Sequence, residues 1–241
     1  MAVATLKDQR IVLIGGSSGM GFAVAEGALA EGAKVVVASS DKAKVDAAVA
    51  RLGAGASGGV IDVSDESSVA AFFAGVAGFD HLVFTAGDAG LGRSPGAIAE
   101  LDFAVAKDGV NVRFWGALMA VKHALGVISP SGSITLTDGV LALLPMKGMP
   151  LATAFSGAVE HLVKGLAVDL APIRVNSVCP GLVMTERLVG WPAEMIQQMV
   201  ARLPLPRAAE PAEAAQAFLY LMKGGYTTGQ VIVVDGGATL V

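Results

Sequence analysis

Short β-branched runs recur along the chain at Arg10–Ile14, 34–38, 60–62, 81–84, 133–137, 173–178 and Val231–Val234. Between them lie Ala-rich stretches whose apolar positions repeat at helical spacing: 21–31, 41–52, 67–77 and a long piece over 103–125. Seven strands alternating with helices predict a doubly wound α/β fold with a parallel sheet and helices on both faces, since each crossover helix returns the chain over the sheet. The glycine-rich piece 53–59 reads as a loop before the third strand. Residues 185–207 break the rhythm: Trp191, Pro192, Pro204 and Pro206 flank one short amphipathic helix. An insertion of this kind beyond a strand end is where a substrate lid is expected.

Composition narrows the function classes. The 241 residues suit one domain, spanning 1–241, with one extensive core. A hydrophobic fraction of 54% and a mean hydropathy of +0.64 are high, yet no apolar run approaches the roughly 18 residues that a spanning helix needs. The excess is Ala, Val and Leu in buried elements. A net charge of −4 without a basic cluster argues against nucleic acid. The lone Cys179 has no partner for a disulfide, and His81, His123 and His161 lack metal-ligand spacing, so neither a disulfide nor a metal is expected. Residues 1–10 are polar and mixed in charge, unlike a secretory leader, which makes cytoplasmic the default location. Small molecules and further copies of the chain are the expected partners.

The chemistry starts after the first strand, in Gly15-Gly16-Ser17-Ser18-Gly19-Met20-Gly21, which leads into a helix. Glycines allow the tight turn and let backbone N–H groups approach a pyrophosphate at the helix N-terminus, where the dipole favours anions. Here the sequence resembles the classical short-chain dehydrogenase/reductase family, whose fingerprint is Thr-Gly-x-x-x-Gly-x-Gly; Ile14 replaces the threonine. The resemblance extends over essentially the whole chain. Asp62-Val63 matches the family's adenine-contacting pair, and Thr85-Ala86-Gly87 stands where the family has Asn-Asn-Ala-Gly, with Phe84 and Thr85 in place of the asparagines. Residues 174–185, which include Pro180, Gly181, Leu182, Val183 and Thr185, resemble the segment that frames the nicotinamide, and Asp235-Gly236-Gly237 is a further hallmark. The resemblance implies a Rossmann-like fold, a nicotinamide dinucleotide and a homotetramer or homodimer joined through the long fourth and fifth crossover helices.

The end of the second strand bears on which dinucleotide binds. NAD-preferring relatives carry an acid at the position of Ser39, where it holds the ribose hydroxyls, and NADP-preferring ones often carry Arg at the position of Ser40. Ser39, Ser40 and Lys42 offer donors and charge to a 2′-phosphate, while Asp41 opposes it, so NADP(H) is expected over NAD(H). The competing reading of Ser39-Ser40-Asp41 is a helix N-cap.

The resemblance fails at the reactive end. The family uses a Tyr-x-x-x-Lys pair, a serine after the fifth strand and an asparagine in the fourth crossover helix. Aligning on 157–162 puts Ala152 at the tyrosine, Ser156 at the lysine and Gly139 at the serine. The asparagine is Asn111 by its local motif, or is replaced by Arg113 if Lys122-His123-Ala124 sets the register. Tyr220 and Tyr226 fall in the final helix and a later turn, as structural residues. Asn111, Arg113, Asp138 and Lys147 remain as candidate catalytic residues. Two functions stay open: an oxidoreductase acting on a small, fairly apolar carbonyl or alcohol compound with a nonstandard proton donor, or a catalytically silent dinucleotide-binding protein.

Overall fold

The computed structural model describes residues 5–87 and 97–241. Seven strands, β1 (Arg10–Ile14), β2 (Lys34–Ser39), β3 (Ala56–Val60), β4 (Phe79–Phe84), β5 (Ile128–Thr137), β6 (Arg174–Pro180) and β7 (Val231–Val234), form one parallel sheet in the order 3-2-1-4-5-6-7. The main helices are α1 (Gly19–Ala30), α2 (Lys42–Leu52), α3 (Glu66–Gly75), α4 (Phe103–Val110), α5 (Gly116–Ala124), α6 (Pro150–Asp169), α7 (Ala193–Val200) and α8 (Pro211–Lys223).

Strand residues alternate between two buried layers. Val12, Ile14, Leu82, Phe84, Ile134 and Leu136 pack with α3, α5 and α6. On the other face Ile11, Leu13, Val35, Val37 and Val178 pack with α1 and α8. Burial on both sides explains the uninterrupted apolar runs 11–14 of β1 and 35–38 of β2. The chain runs outward from β1 through β2 to β3, then returns to place β4 on the other side of β1. Ligands of open α/β sheets bind at such a switch point, beyond the carboxyl ends of the strands.

Three expectations need correction. The third strand is Ala56–Val60, not 60–62, so most of the supposed loop 53–59 is sheet. Glycines hide it: a Cβ on Gly58 would run into Val45, and one on Gly59 would lie 2.5 Å from the Phe72 ring, so helix packing excludes the β-branched residues that mark a strand. The fifth strand starts at Ile128, five residues before the predicted 133. The predicted helix 103–125 is interrupted by a π-helical turn, Asn111–Trp115, closed by the Gly116 N–H donating to the Asn111 carbonyl. Extra residues of this kind re-aim side chains and recur at functional sites.

Among the described residues, no helix is long and apolar enough to cross a membrane. A cavity of about 530 Å³ lies at the amino ends of the strands, lined in part by Gln9, His81, Ser131 and Arg174. His81 there bonds Ser133 through Nδ1 at 2.8 Å and Gln9 through Nε2 at 2.7 Å. Burial, aided by Arg174, pushes its pKa down to about 4, which makes it a neutral structural link.

Candidate active site

The glycine turn after β1 is fixed by its neighbours. Gly15 has φ +87° and donates to the Ala38 carbonyl at 2.8 Å. A Cβ on Gly15 would lie 2.5 Å from the Ala86 nitrogen, and one on Gly21 would lie 2.5 Å from Thr85 Oγ1 and closer still to the Gly15 carbonyl oxygen. Thr85 Oγ1 donates to the Ile14 and Gly15 carbonyls at 3.3 and 3.2 Å. Its hydroxyl therefore locks the turn. Ser18 is the N-cap of α1, but its side chain makes no capping bond, and the first turn of the helix carries no acid. The leading N–H groups of α1, reached across Ser17, Ser18 and Met20, thus suit an anion.

Other predicted contacts surround this turn. Gly181 is pinned: its Cβ would lie 2.8 Å from Asp235 Cα, and its N–H donates to the Val234 carbonyl at 2.9 Å. Asp235 accepts from the N–H groups of Gly237 and Thr239, both at 2.8 Å, so the Asp-Gly-Gly hallmark braces the segment that follows Pro180. Leu182 and Met184 bond Ala209 on either side of the buried Val183. This carries Thr185 over the glycine turn, where a Cβ on Gly19 would meet Thr185 Cγ2 at 3.2 Å and Glu186 Oε2 at 3.6 Å. A carboxylate this close to the α1 N-terminus competes with an anionic ligand for its donors. Glu186→Gln is expected to tighten dinucleotide binding about two- to fivefold in low-salt calorimetry; unchanged affinity would mean that the carboxylate turns away on binding.

At the β2 end, Asp41 caps α2 by accepting from the Lys44 N–H at 3.1 Å, Ser39 Oγ donates to the Asp41 carbonyl at 3.4 Å, and Lys42 pairs with Asp46 at 2.6 Å. The N-cap reading of this segment is realised in Asp41, which leaves Ser40 and the Ser39 hydroxyl beside it. Asp62 accepts from the Ser64 hydroxyl at 2.6 Å and the Ser64 N–H at 2.9 Å, and these bonds hold its carboxyl below the usual range. Val63 packs on Gly116, whose Cβ would lie 2.8 Å from the Val63 carbonyl oxygen.

The reactive end forms around two glycines. The π turn directs Arg113 across Gly87, where a Cβ would lie 3.3 Å from Arg113 Cβ and 3.4 Å from Nε. Arg113 Nη1 donates to the Asp138 carbonyl at 3.1 Å. A Cβ built on Gly139 would meet Ser156 Oγ at 3.6 Å and Arg113 Nη1 at 3.7 Å. The positions matched to the family's serine and lysine, Gly139 and Ser156, are thus together in space with Arg113, one of the two residues matched to its asparagine. Ala152 is buried one turn before Ser156 on α6.

Of the other three candidate catalytic residues, Asp138 adjoins this point through its backbone carbonyl, and no described contact brings the Asn111 or Lys147 side chain to it. Asn111 is half-buried, and its carbonyl closes the π turn. Lys147 is exposed in the loop before α6. Asp138 is 1% exposed, with its carboxyl among Glu160 and Cys179; ligand atoms of all three lie within 4.8 Å of one another. Burial and the adjacent Glu160 push the Asp138 pKa up to about 8. Sequence reasoning missed Glu160. The available signal was its spacing, four residues after Ser156 and eight after Ala152, which places it on the buried face of α6.

Residues 15–239 match the family model described as enoyl-(acyl carrier protein) reductase. The chain is 38% identical to the short-chain dehydrogenase/reductase ucsE of an Acremonium species, over 98% of this chain and 97% of that one. Its fold superposes on the MalC reductase/Diels-Alderase of Malbranchea aurantiaca with a TM-score of 0.90 at 31% identity, covering 98% of each chain. It also superposes on an NADPH-bound short-chain oxidoreductase of Pseudomonas aeruginosa PAO1, described as containing an atypical catalytic center, with a TM-score of 0.87 at 30% identity, covering 96% of this chain and 98% of that one.

Proposed function

Because the chain belongs to the short-chain dehydrogenase/reductase family, we propose that it is an NADP(H)-dependent oxidoreductase in which Arg113 stands in for the absent Tyr–Lys pair. The carrying observation is the convergence of Arg113 Nη1 and Ser156 Oγ at Gly139, the position matched to the family's serine. The glycine turn fits a dinucleotide: its glycines leave no room for side chains, and the α1 N-terminus keeps donors for a pyrophosphate. Gly15, Ser17, Ser18, Gly19, Met20 and Gly21 would hold the phosphates, Asp62 and Val63 the adenine side, and Ala86, Gly87, Pro180, Gly181, Leu182, Val183 and Thr185 the nicotinamide side. A bound nicotinamide supplies the hydride for carbonyl reduction or accepts it in alcohol oxidation.

Arg113 faces a reacting carbonyl as a fixed donor for the oxygen that gains charge. A preorganised donor of that kind is worth about 10²–10³ in rate. A guanidinium keeps its proton at any ordinary pH, so the proton for the new hydroxyl comes from water, with Ser156 to orient it. General acid catalysis contributes roughly 10²–10⁴-fold, so turnover of simple ketones is slow. Exposed Leu143, Leu144 and Met146 on the loop before α6, and Val189 and Met195 on 185–207 with Met184 just before it, support a small, fairly apolar substrate under a lid. We read residues 1–241 as one cytoplasmic domain that self-associates through its long crossover helices; exposed Phe103, Trp115 and Val168 on α4, the π turn and α6 support that surface.

NADP(H) is favoured because nothing acidic occupies position 39 to repel a 2′-phosphate. Ser39→Asp is expected to weaken NADPH binding at least tenfold and to improve NADH binding, by calorimetry with both cofactors. Equal affinities in the wild type would remove the preference. The oxidoreductase itself is tested by NADPH oxidation against a panel of apolar aldehydes and ketones: slow, saturable turnover is expected for some members. Tight NADPH binding with no oxidation across the panel would favour the silent dinucleotide-binding protein.

A further inference from the structure

The Asp138–Glu160 pair lies directly behind the proposed reactive group, on the far side of the Asp138 backbone. The Asp138 N–H donates to the Val178 carbonyl at 3.1 Å and its carbonyl accepts from Arg113, so this one residue joins β6 to the π turn. Its side chain enters the core, where it meets Glu160 from α6 and the Cys179 thiol from β6. Asp138, Glu160 and Cys179 are 1%, 9% and 0% exposed, and neither carboxyl takes part in a described ion pair. Glu160 Oε1 and both Asp138 carboxyl oxygens are buried without a conventional donor. Two carboxylates this close in a low-dielectric interior cannot both stay charged, whereas one proton converts their repulsion into an acid–carboxylate hydrogen bond.

We propose that Asp138 and Glu160 hold one proton between them and act as a clamp that fixes the Gly139 turn against α6, making Glu160 a positioning residue for Arg113. It rests on the reading of Arg113 above only for the effect on turnover; the proton and its effect on stability do not need that reading. The groups that face the pair fit a proton as its occupant. Cys179 is held protonated by burial and by the two carboxyls, with Asp235 adding a smaller negative field, so it faces Asp138 as a neutral thiol. Arg113 reaches Asp138 through the backbone carbonyl. When hydroxide removes the shared proton, the two like charges push α6 away from the end of β5, and the acceptor that orients Arg113 moves with it.

The sign follows from linkage. A carboxyl whose folded pKa is raised from 3.8 to about 8 binds more protons folded than unfolded between those limits. Its contribution to stability is full below the lower value and is lost as pH rises to about 8, the unfolding constant growing by up to about tenfold per pH unit. Above about 8 the loss levels off.

The test compares wild type with Glu160→Gln, whose amide donates to Asp138 at any pH, between about pH 6 and about pH 9.5. In the wild type, Tm is expected to fall from about pH 6 and level off near about pH 8, where the single-turnover rate at saturating NADPH begins to fall by about tenfold per unit. In Glu160→Gln both profiles are expected to flatten. A wild-type Tm indifferent to pH, or an unchanged break in the glutamine variant, overturns the clamp. A break in Tm without one in the rate overturns the positioning role. If Glu160→Gln fails to fold, the infrared carbonyl band of a buried carboxylic acid in the wild type decides: present at about pH 6 and gone at about pH 9.5 supports the proposal, and its absence at both overturns it. Should the profiles shift on adding a chelator, the occupant is a cation and the proposal fails. An NADPH-bound protein that transfers no hydride at any pH yet shows the Tm break and the infrared band would sink the reading of Arg113 and leave the shared proton standing.

Discussion

Arg113→Met is expected to lower the single-turnover rate of hydride transfer by about 10²–10³-fold while NADPH affinity changes less than about threefold. Methionine keeps much of the stem that lies across Gly87 but removes the donors that face Gly139 and the Asp138 carbonyl. The lost interaction is one made chiefly when the substrate oxygen carries charge, so the effect belongs in kcat more than in KM. Lysine should rescue little: its compact ammonium cannot bond the Asp138 carbonyl and a substrate oxygen in the guanidinium's planar geometry. Lys147→Ala is the control, since its side chain is exposed in the loop before α6. A loss below about threefold in Arg113→Met, or an equal loss in Lys147→Ala, would take Arg113 out of the chemistry.

The second large effect is on binding. Gly21→Ala places a methyl group against the Gly15 carbonyl and the Thr85 hydroxyl, and neither can retreat: Thr85 is bonded to two carbonyls, and Gly15 is held by Ala38 and crowded by Ala86. The turn must open. Overpacking of this sort costs about 1–3 kcal/mol of stability, and displacing the backbone donors at the α1 N-terminus should weaken NADPH binding by about 100-fold or more. Gly75→Ala, at the end of α3 with nothing within 4 Å of the added carbon, should instead be neutral or slightly stabilising. Calorimetry and thermal melts of the two variants check this. NADPH affinity in Gly21→Ala within about fivefold of wild type would mean that the turn is not the cradle.

The contrast between these glycines shows what the sequence makes legible. The turn after β1 is readable because its chemistry is local: a strand, three spaced glycines and a helix start within one short segment. β3 is not, because its glycines answer to Val45 and Phe72 arriving from α2 and α3, and a propensity argument has no access to those contacts. The π turn is equally silent, since apolar spacing runs through 103–125 without a break. It contains both residues matched to the family's asparagine. Asn111 opens the extra-wide turn, and Arg113 is the residue that the turn delivers to Gly139. Asp138 was legible as chemically unusual, but not as buried, because only the packing of α6 on the end of β5 supplies the second carboxyl.

The most direct test of the whole account is the fate of a label. Purified protein is loaded with NADPH deuterated at the transferring position and mixed with a small apolar aldehyde or ketone from the reactive members of the panel, and the alcohol is analysed for deuterium at the former carbonyl carbon. One deuterium per product molecule is expected, formed slowly by the wild type and about 10²–10³-fold more slowly by Arg113→Met. Tight NADPH binding with no label in any alcohol, or label delivered equally fast by Arg113→Met, would contradict it.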